Sequence, residues 1–231
     1  MAIAILLAAG TGNRFNDSIP KQLIELHGKP VLEHSLEVLY EHDLIDEIIL
    51  VVSKELSNRV REIAQPYSRK VNQIIEGGNT RSASSFAGLK SIESVDNPKI
   101  IIHDSARPFI SDEMISACIK ALDSYEAVSV AVPSKETTFE VQASEVIRIP
   151  SRDSLMRAQT PQGFRLQRIM AGHKRLETDK LFSPTDDCGV IAKYFPNIAI
   201  GVIPGSEKNI KITFPEDILT AQAILREENL R

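Results

Sequence analysis

The residues best suited to chemistry lie near the start of the chain. In Leu6 to Lys21, LLAAGTGNRFNDSIPK, an apolar strand-like run feeds Ala8-Ala9-Gly10-Thr11-Gly12, and two cations follow, Arg14 and Lys21. Small residues let the backbone approach a ligand closely and take up positive φ at no steric cost. Pro20 stiffens the approach to Lys21. Free backbone N–H groups beside fixed positive charges make an anion site, and polyphosphate is the anion that suits it best. The glycines alone do not specify this. Gly10-x-Gly12 lacks the third glycine of the dinucleotide fingerprint, and no GxxxxGK[ST] loop occurs anywhere in the chain.

Three further polar clusters follow strand-like runs. They are Glu76-Gly77-Gly78-Asn79-Thr80-Arg81 with Ser84, then His103-Asp104-Ser105-Ala106-Arg107-Pro108-Phe109, then Pro133-Ser134-Lys135-Glu136-Thr137. The first precedes a helical pattern, so a helix N-terminus can present backbone donors there. Taken singly, each has a plainer reading: Asp104 as a turn cap, Arg14, Arg107 and Arg152 as solvated charges, and Lys211 as an outward residue of an alternating strand.

The elements that must position these clusters alternate. Strand-like runs at 3–7, 45–52, 71–75, 99–103 and 127–132 are separated by helical patterns from Val31, at 55–67, 81–89 and 111–122. This spacing predicts βαβ units: an α/β, Rossmann-like fold with a mainly parallel sheet and helices on both faces. Right-handed crossovers bring the strand C-terminal ends to one edge, where ligands of open α/β sheets bind. The rhythm stops at about 136–158, where 138–141 and 146–149 alternate like a hairpin joined through 142–145. An exposed two-stranded ribbon is marginal alone, so this arm is expected to pack on a partner. Helices are expected at 166–176, after Pro184-Thr185-Asp186-Asp187 and at 215–227, with a late strand at 198–202. The whole of 1–231 reads as one domain with a projecting β-arm.

Composition sets limits. The net charge is −4, which argues against a nucleic-acid surface. Cys118 and Cys188 have no CxxC spacing, so reduced thiols in a cytoplasmic protein are expected. No segment approaches a membrane span, and the N-terminus reads as a strand and not as a signal peptide.

The motifs LLAAGTGNR…PKQ, GGNTRSASSFAGL, IHDSARPF, RAQTPQGF, PTDD and NIKIT-x-PED occur in order across almost the whole chain. In this the sequence resembles the 2-C-methyl-D-erythritol 4-phosphate cytidylyltransferases and their relatives, the ribitol-5-phosphate cytidylyltransferases. The resemblance implies a nucleotidyltransferase type A fold and a Mg²⁺-dependent transfer of CMP from CTP to a polyol phosphate, with release of pyrophosphate. It implies a homodimer in which the arm helps to form the neighbour's substrate pocket. By the same resemblance Arg14, Lys21 and Lys211 are the catalytic cations, stabilising charge on the α-phosphate in the transition state. Ala8, Ala9, Gly10, Thr11, Gly12, Gly78, Asn79 and Ser84 bind the nucleotide. Asp104 meets Mg²⁺ and the polyol, Arg107 the polyol, and Thr137, Arg152 and Thr160 the polyol phosphate, for which an Arg fork is apt.

Two departures stand out. Family members often have Asp where this chain has Asn79. The methylerythritol enzymes usually read D-T-x-K where this chain has Glu136-Thr137-Thr138-Phe139. Ribitol enzymes commonly lack that lysine, whereas AAGTGNR and RAQTPQGF resemble the methylerythritol branch. The expected acceptor is 2-C-methyl-D-erythritol 4-phosphate, with ribitol 5-phosphate as the alternative. An aldose-phosphate nucleotidyltransferase and a catalytically silent homologue are competing readings, opposed respectively by the Arg152 and QTPQ segments and by the set Arg14, Lys21, Asp104 and Lys211.

Overall fold

The computed structural model describes residues 1–10, 20–93 and 96–228. Its organising strand is β1 (Ala2–Ala8), seven residues buried along their whole length. A side-chain period of two sends Ala2, Ala4, Leu6 and Ala8 to one hydrophobic cluster and Ile3, Ile5 and Leu7 to another, so both faces of the sheet are covered.

After β1 comes a small hairpin, β2 (Glu25–Leu26) and β3 (Lys29–Pro30). Its turn residues His27 and Gly28 both have positive φ, at 48° and 79°, as a two-residue type I′ turn requires. The chain then runs through α1 (Val31–Glu41), β4 (Glu47–Val52), α2 (Ser57–Ala64), β5 (Val71–Glu76), α3 (Arg81–Lys90), β6 (Lys99–Asp104), α4 (Asp112–Ala121) and β7 (Ala127–Pro133). The arm is β8 (Glu140–Gln142) with β9 (Glu145–Arg148). Beyond it lie β10 (Met156–Arg165), α5 (Leu166–Leu176), α6 (Asp187–Tyr194), β11 (Ile200–Pro204) and α7 (Glu216–Glu228).

Among the described residues the main sheet has seven strands in the order β11-β7-β10-β6-β1-β4-β5. Helices α1, α2 and α4 supply Leu36, Val60 and Ile115 to one face, and α3, α5 and α6 supply Phe86, Ile169 and Ile191 to the other. A third cluster packs α7, through Ala221, on Leu26, Val31, Phe109 and Ile212. No helix among the described residues is long and apolar enough to cross a membrane.

The mainly parallel sheet agrees with the pattern of the sequence, with one addition. Residues 156–165 form a ten-residue strand in the middle of the sheet, antiparallel to both β6 and β7. Pro161 argues against a central strand on sequence grounds, and the register shift between Ala158 and Gln162 is what accommodates it. The arm's turn is also tighter than the expected 142–145 connection. Ala143 and Ser144 both take positive φ, at 48° and 68°, and Gln142 pairs directly with Glu145.

Candidate active site

The C-terminal ends of β1, β4, β5 and β6 open onto a cavity of about 780 Å³. Each end contributes through its own sequence: Ala9 and Gly10 after β1, Ser53 and Lys54 after β4, Gly77 to Arg81 after β5, and Asp104 to Ala106 at β6. Lys21 and Lys211 enter from the segments before β2 and after β11. Close approach of the β1 and β5 ends depends on glycine. A Cβ on Gly77 would lie 2.4 Å from the Ala9 Cβ and 2.7 Å from the Ser84 hydroxyl. Thr80 caps α3 by accepting from the Ala83 N–H at 3.0 Å, directly after Gly78 and Asn79, which line the cavity. The Ser84 hydroxyl donates to the Thr80 carbonyl at 3.0 Å. Gln22 braces the first loop, its amide donating to the Ala8 and Gly10 carbonyls.

Asp104 is the electrostatic centre. Its Oδ1 accepts from Arg81 Nε at 2.8 Å and its Oδ2 from Lys211 Nζ at 2.6 Å. Burial pushes this carboxyl up, but the Arg81 and Lys211 charges outweigh burial and hold it well below the usual carboxylate range. Arg81 in turn donates from Nη1 to Asp187 Oδ2 at 2.7 Å. Asp187 is fully buried, and it also accepts from the Ser85 hydroxyl at 2.7 Å and meets His173 Nε2 at 2.9 Å. Arg81 is thus shared between two carboxylates. The cations lining the cavity among the described residues are Lys21, Lys54, Arg81 and Lys211.

The segment bearing Lys211 is held from several sides. Ile212 is buried and its N–H donates to the Ala106 carbonyl at 2.8 Å, while its own carbonyl accepts from Lys21 Nζ at 3.0 Å. Both lysines therefore converge on one stretch of backbone beside Asp104.

Of the residues singled out from sequence, the cavity brings together Ala9, Gly10, Lys21, Gly78, Asn79, Ser84, Asp104 and Lys211. Ala8 is the buried last residue of β1. Thr11, Gly12 and Arg14 lie outside the described residues. Four positions fall elsewhere. Thr137 and Arg152 are exposed at the base of the arm. Arg107 donates from Nη1 to the Asn209 carbonyl at 2.7 Å, away from the cavity lining. Thr160 is 5% exposed, with its hydroxyl engaged by the Asp104 N–H and His103. Sequence reasoning assigned no role in the site to Arg81, Asp187, Gln22 or Lys54. The signal for Arg81 was present, as a cation directly after a helix-capping Thr in a cluster already marked.

His103 is fully buried, and burial pushes it down to about 4 from its ordinary 6.5. Between those values the unfolded chain holds a proton that the folded chain does not, so stability falls as pH is lowered through this window. The loss across the full window is on the order of 3 kcal/mol. The depressed carboxylates Asp104 and Asp187 act lower, their contribution being lost only as pH falls below about 4. Urea unfolding at pH 7 and pH 4.5 should show the decline, and a His103→Gln variant should show a visibly flatter one. An equal decline in both would refute the assignment.

Residues 2–227 match the family described as IspD, 2-C-methyl-D-erythritol 4-phosphate cytidylyltransferase. The 2-C-methyl-D-erythritol 4-phosphate cytidylyltransferase of Thermobifida fusca is 40% identical over 230 residues, covering 96% of this chain and 92% of its own. A Haemophilus influenzae protein, bifunctional ribulose 5-phosphate reductase/CDP-ribitol pyrophosphorylase, is 38% identical over 97% of this chain, which spans 48% of that relative. The crystal structure of 4-diphosphocytidyl-2C-methyl-D-erythritol synthase from Anaerococcus prevotii superposes with a TM-score of 0.88 at 34% identity, covering 97% of this chain and 96% of that one.

Proposed function

We propose that the chain, which belongs to the 2-C-methyl-D-erythritol 4-phosphate cytidylyltransferase family, carries that family's reaction in the cavity at the strand ends. The reaction is transfer of CMP from CTP to 2-C-methyl-D-erythritol 4-phosphate with release of pyrophosphate, a step of isoprenoid precursor synthesis. The observation that supports the site is the convergence of Lys21 and Lys211 on one backbone stretch beside the buried, ionised Asp104. Negative charge grows around the α-phosphorus in the transition state, and cations already fixed in place stabilise it without reorganising. The attacking group is a phosphate oxygen of the acceptor, ionised near neutral pH, so no protein base is needed. The base of CTP fits the Gly78-Asn79-Ser84 wall, where backbone groups and an amide can read its edge.

Mg²⁺ is the cofactor read for this chemistry. Among the described residues no three acidic, His or Cys side chains form a cage. That donor set suits an ion that takes one or two carboxylates and completes its shell with substrate phosphates and water. Asp104 would hold it, and the ion would supply neutralisation of phosphate charge. The arm supports a homodimer: Val141, Val146, Ile147 and Ile149 are each at least half exposed on a thin ribbon, a surface that fits a second copy. In such a dimer Thr137 and Arg152 would reach the neighbour's acceptor phosphate. The two buried, unpaired thiols, Cys118 and Cys188, accord with a cytoplasmic protein.

A second acceptor, ribitol 5-phosphate, is favoured by one observation: Glu136-Thr137-Thr138-Phe139 lacks the lysine usual in the methylerythritol branch. Pyrophosphate release from CTP and Mg²⁺ with each acceptor side by side decides between them. Strong release with methylerythritol phosphate alone is expected; release with ribitol phosphate alone would move the chain to the other branch.

A further inference from the structure

Gln22, the neighbour of Lys21, is a polar side chain only 2% exposed in the wall of the cavity. Its amide nitrogen donates to two backbone carbonyls, Ala8 at 2.9 Å and Gly10. Among the described residues its oxygen Oε1 has no partner. Resting on the reading that this cavity binds CTP for nucleotidyl transfer, we infer that Gln22 is a positioning residue for the nucleotide. It holds the backbone after β1 in its binding form and ties that backbone to Lys21.

A side-chain amide has two protons on its nitrogen and none on its oxygen. Both neighbours of the Gln22 nitrogen are carbonyls, which only accept, so the amide has one orientation and both protons are used. The unpaired oxygen is what remains when one side chain serves two carbonyls. Holding those carbonyls decides what the opposite edge of the backbone presents. The peptide group is planar and trans, so with the Ala8 carbonyl turned to Gln22 the Ala9 N–H points to the other side. There, among the described residues, it donates to no backbone carbonyl. A backbone donor left open at a strand end is what a nucleotide's acceptor atoms require. Gly77 supports the same stretch from the β5 side, where a Cβ would fall 2.4 Å from the Ala9 Cβ.

The tie to Lys21 is short. Lys21, Gln22 and Leu23 form a single 3-10 turn, closed by the Leu23 N–H on the Pro20 carbonyl at 2.8 Å. With about three residues per turn, their side chains leave the axis in three directions. Lys21 reaches the Ile212 carbonyl, in the segment that bears Lys211. Gln22 reaches the backbone after β1, and Leu23 packs on the core. One turn therefore sets the nucleotide loop and both lysines in a common frame. A misplacement of about 1 Å at a reacting centre can cost on the order of 10²-fold in rate, which is what this frame prevents.

Calorimetric titration of Gln22→Met and Gln22→Glu with CTP and Mg²⁺ tests it, alongside steady-state kinetics. Gln22→Met keeps the length of the side chain and removes both donors. Its Kd for CTP should rise by about 10–100-fold, while the acceptor's KM at saturating CTP stays within about twofold. Gln22→Glu, which turns a carboxylate on the two carbonyls, should weaken CTP at least as much. In the wild-type protein the Ala9 amide should exchange its hydrogen quickly without nucleotide and become protected when CTP binds. A CTP Kd within about twofold of wild type in a cooperatively melting Gln22→Met would leave Gln22 a structural residue only and overturn the inference. Equal losses for CTP and the acceptor would overturn it too, as a general loosening of the site. If neither variant melts cooperatively, the exchange measurement decides alone, and an Ala9 amide that CTP leaves unprotected overturns the inference. Failure of the underlying reading is seen separately, as a wild-type protein that releases no pyrophosphate with either acceptor.

Discussion

Replacing Lys21 or Lys211 by alanine should cut turnover by about 10²–10³-fold, the scale of losing one fixed donor to transition-state charge. Neither substitution should unfold the protein. Lys211 has a side chain 37% exposed, and Asp104 keeps its ion pair with Arg81 when Lys211 is gone. Lys21 stands in a short 3-10 turn whose neighbours Gln22 and Leu26 supply the burial. Single-turnover measurement with saturating CTP separates this loss from weaker nucleotide binding. Thermal melting of both variants checks the fold. Turnover within a few-fold of wild type would remove that lysine from the chemistry.

Asp187→Ala should destabilise the fold by about 3 kcal/mol, the scale of breaking a buried charge pair, with Arg81 left to Asp104 alone. The physical case is unusually complete. Asp187 is fully buried and receives Arg81 at 2.7 Å, the Ser85 hydroxyl at 2.7 Å and His173 at 2.9 Å, while its own N–H donates to Gln162 at 3.2 Å. Its removal strands three side-chain donors at once on the face where α3, α5 and α6 meet the sheet. Because Arg81 also holds Asp104, turnover should fall with stability even under conditions where the variant is folded. Guanidinium unfolding gives the first quantity and an activity assay at low temperature the second. A loss below about 1 kcal/mol, the ordinary effect of a point substitution, would show that the network contributes little.

Much of this was legible in the chain. The β1, β4, β6 and β7 runs are mostly apolar because both faces of a parallel sheet are covered, and such runs are hard to mistake once helical patterns alternate with them. The clusters at 76–84 and 103–109 stood out because loops at strand ends are where polar side chains gather. What escaped was set by tertiary contact. β10 hides behind Pro161, whose place in a central strand exists only because the register shifts there. The second aspartate of the PTDD motif reads as part of a helix cap. In the structure Asp186 does the capping, at 2.7 Å from the Gly189 N–H, and Asp187 turns inward to Arg81. Adjacent identical residues on opposite sides of a helix start cannot be told apart without the partner across the fold.

The most direct measurement is a crystal structure of the protein with CTP and Mg²⁺ bound. The triphosphate should lie between Lys21 and Lys211 beside Asp104, with the cytosine against Gly78, Asn79 and Ser84. A nucleotide bound outside this cavity, or one inside it with its phosphates directed away from both lysines, would contradict the account.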